Sequence, residues 1–320
     1  MFKELYLKLL GYYNIPEFLN KYLEVPTLQR LKEICYFCGM DYASKNIYDF
    51  KEHITRYDHS LTVALLVYKL TNNTIATIAG LLHDISTPCF SHVIDYMNKD
   101  YSLQESSEKN MLKIIKSDAL LQKLLQEDKI KIDQVINFKE FTILDNDRPK
   151  LCADRIDGII YNSYNWTKDL RIEEIEKILN DICLYKNELG EDEIGFKTKE
   201  VAERVLNLSD RVNDACHSSE DIYMMELLAK ITRYSINMGY ITYDELFTST
   251  EKVIFEKLDS TKDHFLEKLL VDFRNIRPEK IPRIELPNLK ERNLNPLVDG
   301  KRLKEEWYEK ESRNWKKYYN

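Results

Sequence analysis

Thr74-Ile-Ala-Thr-Ile-Ala-Gly-Leu-Leu-His83-Asp84-Ile-Ser-Thr-Pro88 is the stretch that decides how this chain is read. From Ile75 to Leu82 nearly every residue is apolar. A helix with no polar face belongs at the centre of a core. Thr74 is its expected N-cap, and Ser86-Thr87-Pro88 its end. The run closes on an imidazole beside a carboxylate, and burying such groups is costly unless they pair or hold a cation.

Two other segments show the same contrast. Arg56-Tyr-Asp58-His59 opens a strongly apolar helix that ends near Thr71-Asn-Asn, and Asp154-Arg155-Ile-Asp157 follows Leu151-Cys-Ala. Imidazole nitrogen and carboxylate oxygen together suit divalent transition ions and Mg²⁺. Two readings stand at this point: one metal shared by the three segments, or three separate buried salt bridges. Asp58 is either an N-cap or a partner of a histidine. Asp157, one helical turn after Asp154, either orients a ligand or pairs with Arg155.

Working outward, the chain reads as helix almost throughout. Its eight prolines leave 89–148 and 150–277 uninterrupted, and Leu, Ile, Lys and Glu fill those stretches. Short helices are expected in 1–24, broken around Gly11 and Pro16. Further helices are expected from Thr27 to Cys38, from Phe90 to Met97, over 105–126 and 131–140, and from Asp147-Arg-Pro149 through Ile160. The series continues over 171–185, 198–215, 220–238 and 243–258, with Asp192 to Gly195 a turn. Four prolines fall between 278 and 296. There Lys280 to Leu286 alternates like an edge strand, followed by a charged helix over 301–317. The expected fold class is all-α: a helical core with additional helices and a small extended or mixed C-terminal segment. Its divisions are 1–50 (N-terminal helices), 51–165 (metal-binding core), 166–277 (helical continuation) and 278–320 (extended and helical segment).

The net charge of -7 and pI near 5.6 argue against general binding of duplex nucleic acid. The N-terminus does not read as a signal peptide, and no window approaches 18 apolar residues, so no membrane partner and a cytoplasmic location are expected. The six cysteines are scattered. Cys35-Tyr-Phe-Cys38 lacks a second pair at zinc spacing and is expected to be a reduced helical face.

The ordered set His59, His83-Asp84, Asp154 resembles the H…HD…D signature of the HD-domain metal-dependent phosphohydrolases. The surrounding residues are most similar to the deoxynucleoside triphosphate triphosphohydrolase (dGTPase-like) branch. Arg56-Tyr-Asp-His59-Ser-Leu-Thr-Val resembles that branch's R-F-E-H-S-L-G-V. Gly80 to His92 resembles A-L-L-H-D-I-G-H-G-P-F-S-H, and Asp154-Arg-Ile-Asp157 resembles D-R-I-D. The resemblance implies an HD-domain helical core with His59, His83, Asp84 and Asp154 as ligands to a divalent metal (Mn, Mg, Fe, Co, Ni or Zn). It implies hydrolysis of a small phosphorylated substrate, a nucleotide or another phosphoester, by metal-activated water. Arg56 and Arg155 would meet phosphate, Tyr36 would meet the substrate, and His92 would donate a proton, unless it is only a cap. Related enzymes often assemble, which leaves a homo-oligomer open, with Tyr-rich helices as its interface.

The departures fall where substrate is chosen. Thr87 and Gln104 stand where the branch has histidines, Tyr36-Phe37-Cys38 where it has Q-L-G, and Gly158 and Asn162 where it has Tyr and Asp. A diverged phosphohydrolase is therefore expected, with a nucleotide-binding sensor or assembly protein of low turnover as the alternative. A helical scaffold without a site would leave four buried ionisable residues without a common purpose. His53, His217 and His264 carry no expected role.

Overall fold

The computed structural model describes residues 2–102, 110–286 and 288–304. At its centre lie α4 (Arg56–Thr71) and α5 (Thr74–Leu82), packed on each other. Both are enclosed, as their apolar composition requires. Every residue of α4 from His59 to Val67 is buried, as is α5 from Ala76 to Leu82. Their caps differ from expectation. Thr55 caps α4, with Asp58 returning the bond to the Thr55 backbone N–H, so Asp58 is the third residue of a capping box and no partner of a histidine. Asn72 closes α4 in the left-handed region at φ 52°, and the Asn73 carboxamide then caps α5 in place of Thr74.

Before this centre come α1 (Phe2–Leu9), α2 (Glu17–Leu23) and α3 (Pro26–Arg30). The helix expected to reach Cys38 ends at Arg30 and tightens into a 3₁₀ turn over Leu31–Glu33. Cys35 then bridges Thr55, and Cys38 adopts φ 56°, so the two cysteines share no helical face. After the centre come α6 (Val93–Asn98), α7 (Met111–Ser117), α8 (Ala119–Glu127) and α9 (Ile132–Ile136). The single helix expected to Gln126 is split, because the Asp118 carboxylate caps a new start by accepting from the Leu121 N–H. The beginning of that expected helix, with Gln104, lies outside the described residues.

α10 (Ala153–Asn165) lies against α4, and α12 (Lys199–Cys216) covers it. α13 (Ser219–Asn237) packs on α6. The segment expected as one helix over 243–258 is two, α14 (Glu245–Thr248) and α15 (Glu251–Ser260), and α16 (His264–Asn275) was not foreseen.

The sheet overturns three expectations. α11 (Ile172–Asp181) stops early, and β1 (Ile182–Lys186) pairs antiparallel with β2 (Asp192–Phe196) where a helix end and a turn were expected. The Ile182/Leu184 and Ile194/Phe196 alternation is the strand signal that the helical reading absorbed. Pro282 and its neighbours form no strand. Instead β3 (Leu297–Val298) lies parallel to β2, and β4 (Lys301–Arg302) pairs with β3. Gly195 permits this, since a Cβ there would stand 2.7 Å from the Leu297 carbonyl oxygen. Arg302 fixes the strap through fully buried Glu193, whose carboxylate also accepts from the Leu151 N–H at the approach to α10. The sheet thus helps set where α10 starts. Of the helix expected over 301–317, residues 301–302 are strand and those from 305 lie outside the described residues. Among the described residues no helix is long and apolar enough to cross a membrane.

Candidate metal centre

His59 enters from the first turns of α4, His83 and Asp84 from the end of α5, and Asp154 from the first turn of α10. Ligand atoms of His59, His83 and Asp154 all lie within 4.8 Å of one another. The His59 Nε2 is 2.9 Å and the His83 Nε2 3.7 Å from the same Asp154 oxygen. Asp84 stands at the edge: Oδ1 is 3.9 Å from His83 Nε2, while Oδ2 accepts from Arg56 Nη1 at 2.9 Å.

Both imidazoles are held from behind. His59 Nδ1 meets Asp157 Oδ2 at 2.7 Å, and His83 Nδ1 donates to the Gly80 carbonyl at 2.7 Å. That fixes each ring with Nε2 facing the carboxylates, the arrangement that metal-binding histidines need. Asp157 is fully buried and also accepts from Tyr6 Oη at 2.7 Å and Thr62 Oγ1 at 3.0 Å. It orients His59 and leaves Arg155 to other partners. Tyr6 is a contributor that sequence reading missed, because nothing distinguishes it from the apolar stripe of α1.

The His83 Nε2 is buried without a hydrogen-bond partner. A cation between His83, His59 and Asp154 would supply that partner, so the donor set fits a divalent ion. The electrostatics agree. Burial opposes charge on His59, yet the flanking Asp154 and Asp157 carboxylates raise it to about 10. Burial likewise opposes ionisation of Asp84, but Arg56 overcomes this and holds the carboxyl well below its usual range. Buried cationic and anionic groups here compensate one another or require an ion.

These residues form one end of a cavity of about 750 Å³. Arg56 is fixed by Asp84, by Ser91 Oγ at 3.2 Å from its Nε, and by the Tyr36 ring 5.0 Å away. Phe90 and Ser91 both lie in the left-handed region, at φ 66° and 46°, a strain that persists only where surroundings enforce it. Buried Glu251 accepts the Phe90 N–H at 2.9 Å. Gly39, at φ 77°, passes so close that a Cβ would meet the Phe90 ring at 2.7 Å.

His92 lines the cavity. It occupies the N-cap position of α6, yet its side chain caps no backbone N–H. Instead its Nδ1 pairs with the buried Asp95 carboxylate at 2.8 Å, leaving Nε2 as the free ring nitrogen. Arg155 also lines the cavity, but its Nη atoms are engaged by Asn146 and the Lys150 carbonyl, and it stands 3.6 Å from Asp145. Its expected pairing with Asp157 does not occur. His53 pairs with Asp41, and His264 is fully exposed.

Three departures from the triphosphohydrolase pattern prove to be one patch. A Cβ on Gly158 would stand 3.1 Å from the Tyr36 hydroxyl, and Asn162 Nδ2 donates to that hydroxyl at 3.5 Å and to the Gly158 carbonyl at 2.8 Å. Tyr36 therefore occupies the space that a side chain on 158 would need. Arg148, Lys150, Arg155 and Arg292 also line the cavity, with Lys150 paired to Glu191 and Arg155 3.6 Å from Asp145. Burial lowers Arg148 to about 10, and Arg155 and Arg292 push the same way, so the three guanidinium groups lie close enough to repel.

Residues 56–161 match the HD domain family. The chain is 26% identical over 246 residues to the uncharacterized protein YdhJ of Bacillus subtilis, covering 76% of this chain and 72% of that protein. It is 27% identical over 169 residues to the metal-dependent phosphohydrolase cns2 of Cordyceps militaris, covering 50% of this chain but only 44% of that protein. His59, His83, Asp84 and Asp154 all fall inside the matched residues.

Proposed function

We propose that the protein is a metal-dependent phosphohydrolase acting on a small phosphorylated substrate, with a nucleotide as the best-supported class. The orphaned His83 Nε2, facing His59 and Asp154 across a gap of ligand size, carries this reading. His59, His83, Asp84 and Asp154 would hold a divalent cation, which polarises a phosphoryl oxygen and acidifies water.

The chain's own residues divide the remaining work. Arg56 already neutralises Asp84 and is positioned to share its planar fork with a phosphate oxygen. His92, turned by Asp95, presents Nε2 for protonating a leaving oxygen. Arg148 and Arg292 on the cavity walls could meet further negative charge, while Phe37, Phe50 and Trp166 supply an aromatic wall to which a flat base could stack. Tyr36 over Gly158 reshapes the floor beside His59, which supports a substrate other than the dNTPs of the branch the motifs resemble.

The test is to measure bound metal and then to screen nucleotides and simple phosphoesters for phosphate release with Mn²⁺, Mg²⁺, Co²⁺ and Ni²⁺. Metal at the site with turnover on a phosphomonoester or nucleotide supports the reading. Metal and tight nucleotide binding without turnover would support the sensor alternative. No metal at all overturns both.

A further inference from the structure

Cys35 does not line the cavity, although Tyr36, Phe37 and Cys38 do. Its thiol is buried within hydrogen-bonding reach of two carboxylates, those of Glu251 and Asp41. His53, about half exposed, brings its Nδ1 to 2.9 Å from Asp41 Oδ1. Ligand atoms of Cys35, Asp41 and His53 all lie within 4.8 Å of one another. The other Asp41 oxygen, Oδ2, is buried and has no hydrogen-bond partner. We propose that Cys35, Asp41 and His53 form a second metal site for a zinc-class divalent ion, with Glu251 or water completing four-fold coordination.

Donor chemistry favours that ion. One sulfur, one imidazole nitrogen and carboxylate oxygen make a mixed set that a borderline-soft, tetrahedral cation accepts and that Mg²⁺ or Ca²⁺ does not. A purely hydrogen-bonded cluster accounts for the His53–Asp41 contact but offers the buried Asp41 Oδ2 no donor stronger than the weak Cys35 S–H. The cations nearby do not satisfy it. Lys45 Nζ goes to the Asp41 backbone carbonyl, and Arg30, whose charge reaches Glu251, donates to the carbonyls of Phe247 and Thr87. The exposed His53 gives an ion its way in from solvent.

The placement gives the site a bracing role. Cys35 accompanies the cavity wall Tyr36–Cys38, and Glu251 holds the Cys35 N–H with one oxygen and the Phe90 N–H with the other. Phe90-Ser91 is the left-handed pair against which Arg56 rests. An ion here would fasten both to α15 from outside the cavity.

Cobalt titration of the metal-stripped, full-length protein tests this. A thiolate ligand gives cobalt a strong near-ultraviolet charge-transfer absorption, and His59, His83, Asp84 and Asp154 include no sulfur. With both sites available, the band should be complete by about two cobalt per chain. It should persist in D154A, disappear in C35S, and require at least about tenfold more cobalt in H53A, a change at a half-exposed side chain. Circular dichroism reports whether C35S is folded; if it is not, H53A decides. Absence of the band in the wild-type protein, its survival in folded C35S, or an unchanged titration of H53A each overturns the proposal. Because D154A removes only the HD-site cobalt, failure of one site is read separately from failure of the other.

Discussion

The two ends of the cavity are built in opposite ways. The metal end comes from three helix segments whose geometry is local: His59 three residues into α4, His83-Asp84 at the close of α5, Asp154 and Asp157 one turn apart on α10. The rest of the lining includes Arg148 from a loop and Arg292, more than a hundred positions later on a segment without regular structure. Helices that are buried on all sides cannot shift without unpacking the core. Loops can change sequence and path at little cost to stability. On the proposed function, the chemistry would rest on the rigid part and the choice of substrate on the adaptable part.

The comparison predicts separable phenotypes. Replacing His83 by Ala should remove the metal held with His59 and Asp154 and reduce phosphate release to background while far-ultraviolet dichroism stays native; a variant that kept that metal equivalent would break the division at its root. His92→Ala should retain metal and lose about 10²–10⁴-fold in kcat on a substrate with a poor leaving group, with far less loss on an activated aryl phosphate. Equal losses on both would make His92 a positioning residue. Asp157→Asn should weaken metal affinity by about 10–100-fold through His59 alone, read by competition with a chelator. At the other end, Arg148→Gln or Arg292→Gln should raise KM by about tenfold for a polyanionic substrate, a cost of about 1.4 kcal/mol in binding, with metal content and kcat nearly unchanged. A fall in kcat of the same size as for His92→Ala would show that the far end takes part in chemistry.

The same division governs how much the sequence revealed. α4 and α5 were legible because an unbroken apolar run has one solution, the centre of a core, and charged residues inside it demand an explanation. Asp157 keeps two roles open in the sequence, since spacing places it on the face of Asp154 but cannot say that Tyr6, 151 residues away, completes its shell. The exchange of a side chain at 158 for Tyr36 was invisible for the same reason: the two residues meet only across the fold. Local competition explains the other misses. Ile182-Cys-Leu-Tyr-Lys186 follows an amphipathic helix without a Pro or Gly between them, so in the sequence this strand looks like more helix. The alternating 280–286 stretch contains Pro282 and has no neighbour to pair with, whereas two short strands beyond it do.

The strap formed by β3 and β4 bears on the order in which the molecule can be completed. Glu193 waits for a cation 109 residues further along the chain, and the Arg302 guanidinium that supplies it also grips Glu188. During synthesis α4, α5 and α10 emerge before residues 297–302 and can pack on one another first. The hairpin of β1 and β2 must by contrast hold a buried carboxylate uncompensated until residues 297–302 arrive. The nascent chain should therefore acquire its metal end well before the far wall of the cavity, and a ribosome-bound intermediate would meet the ion before it could discriminate among substrates.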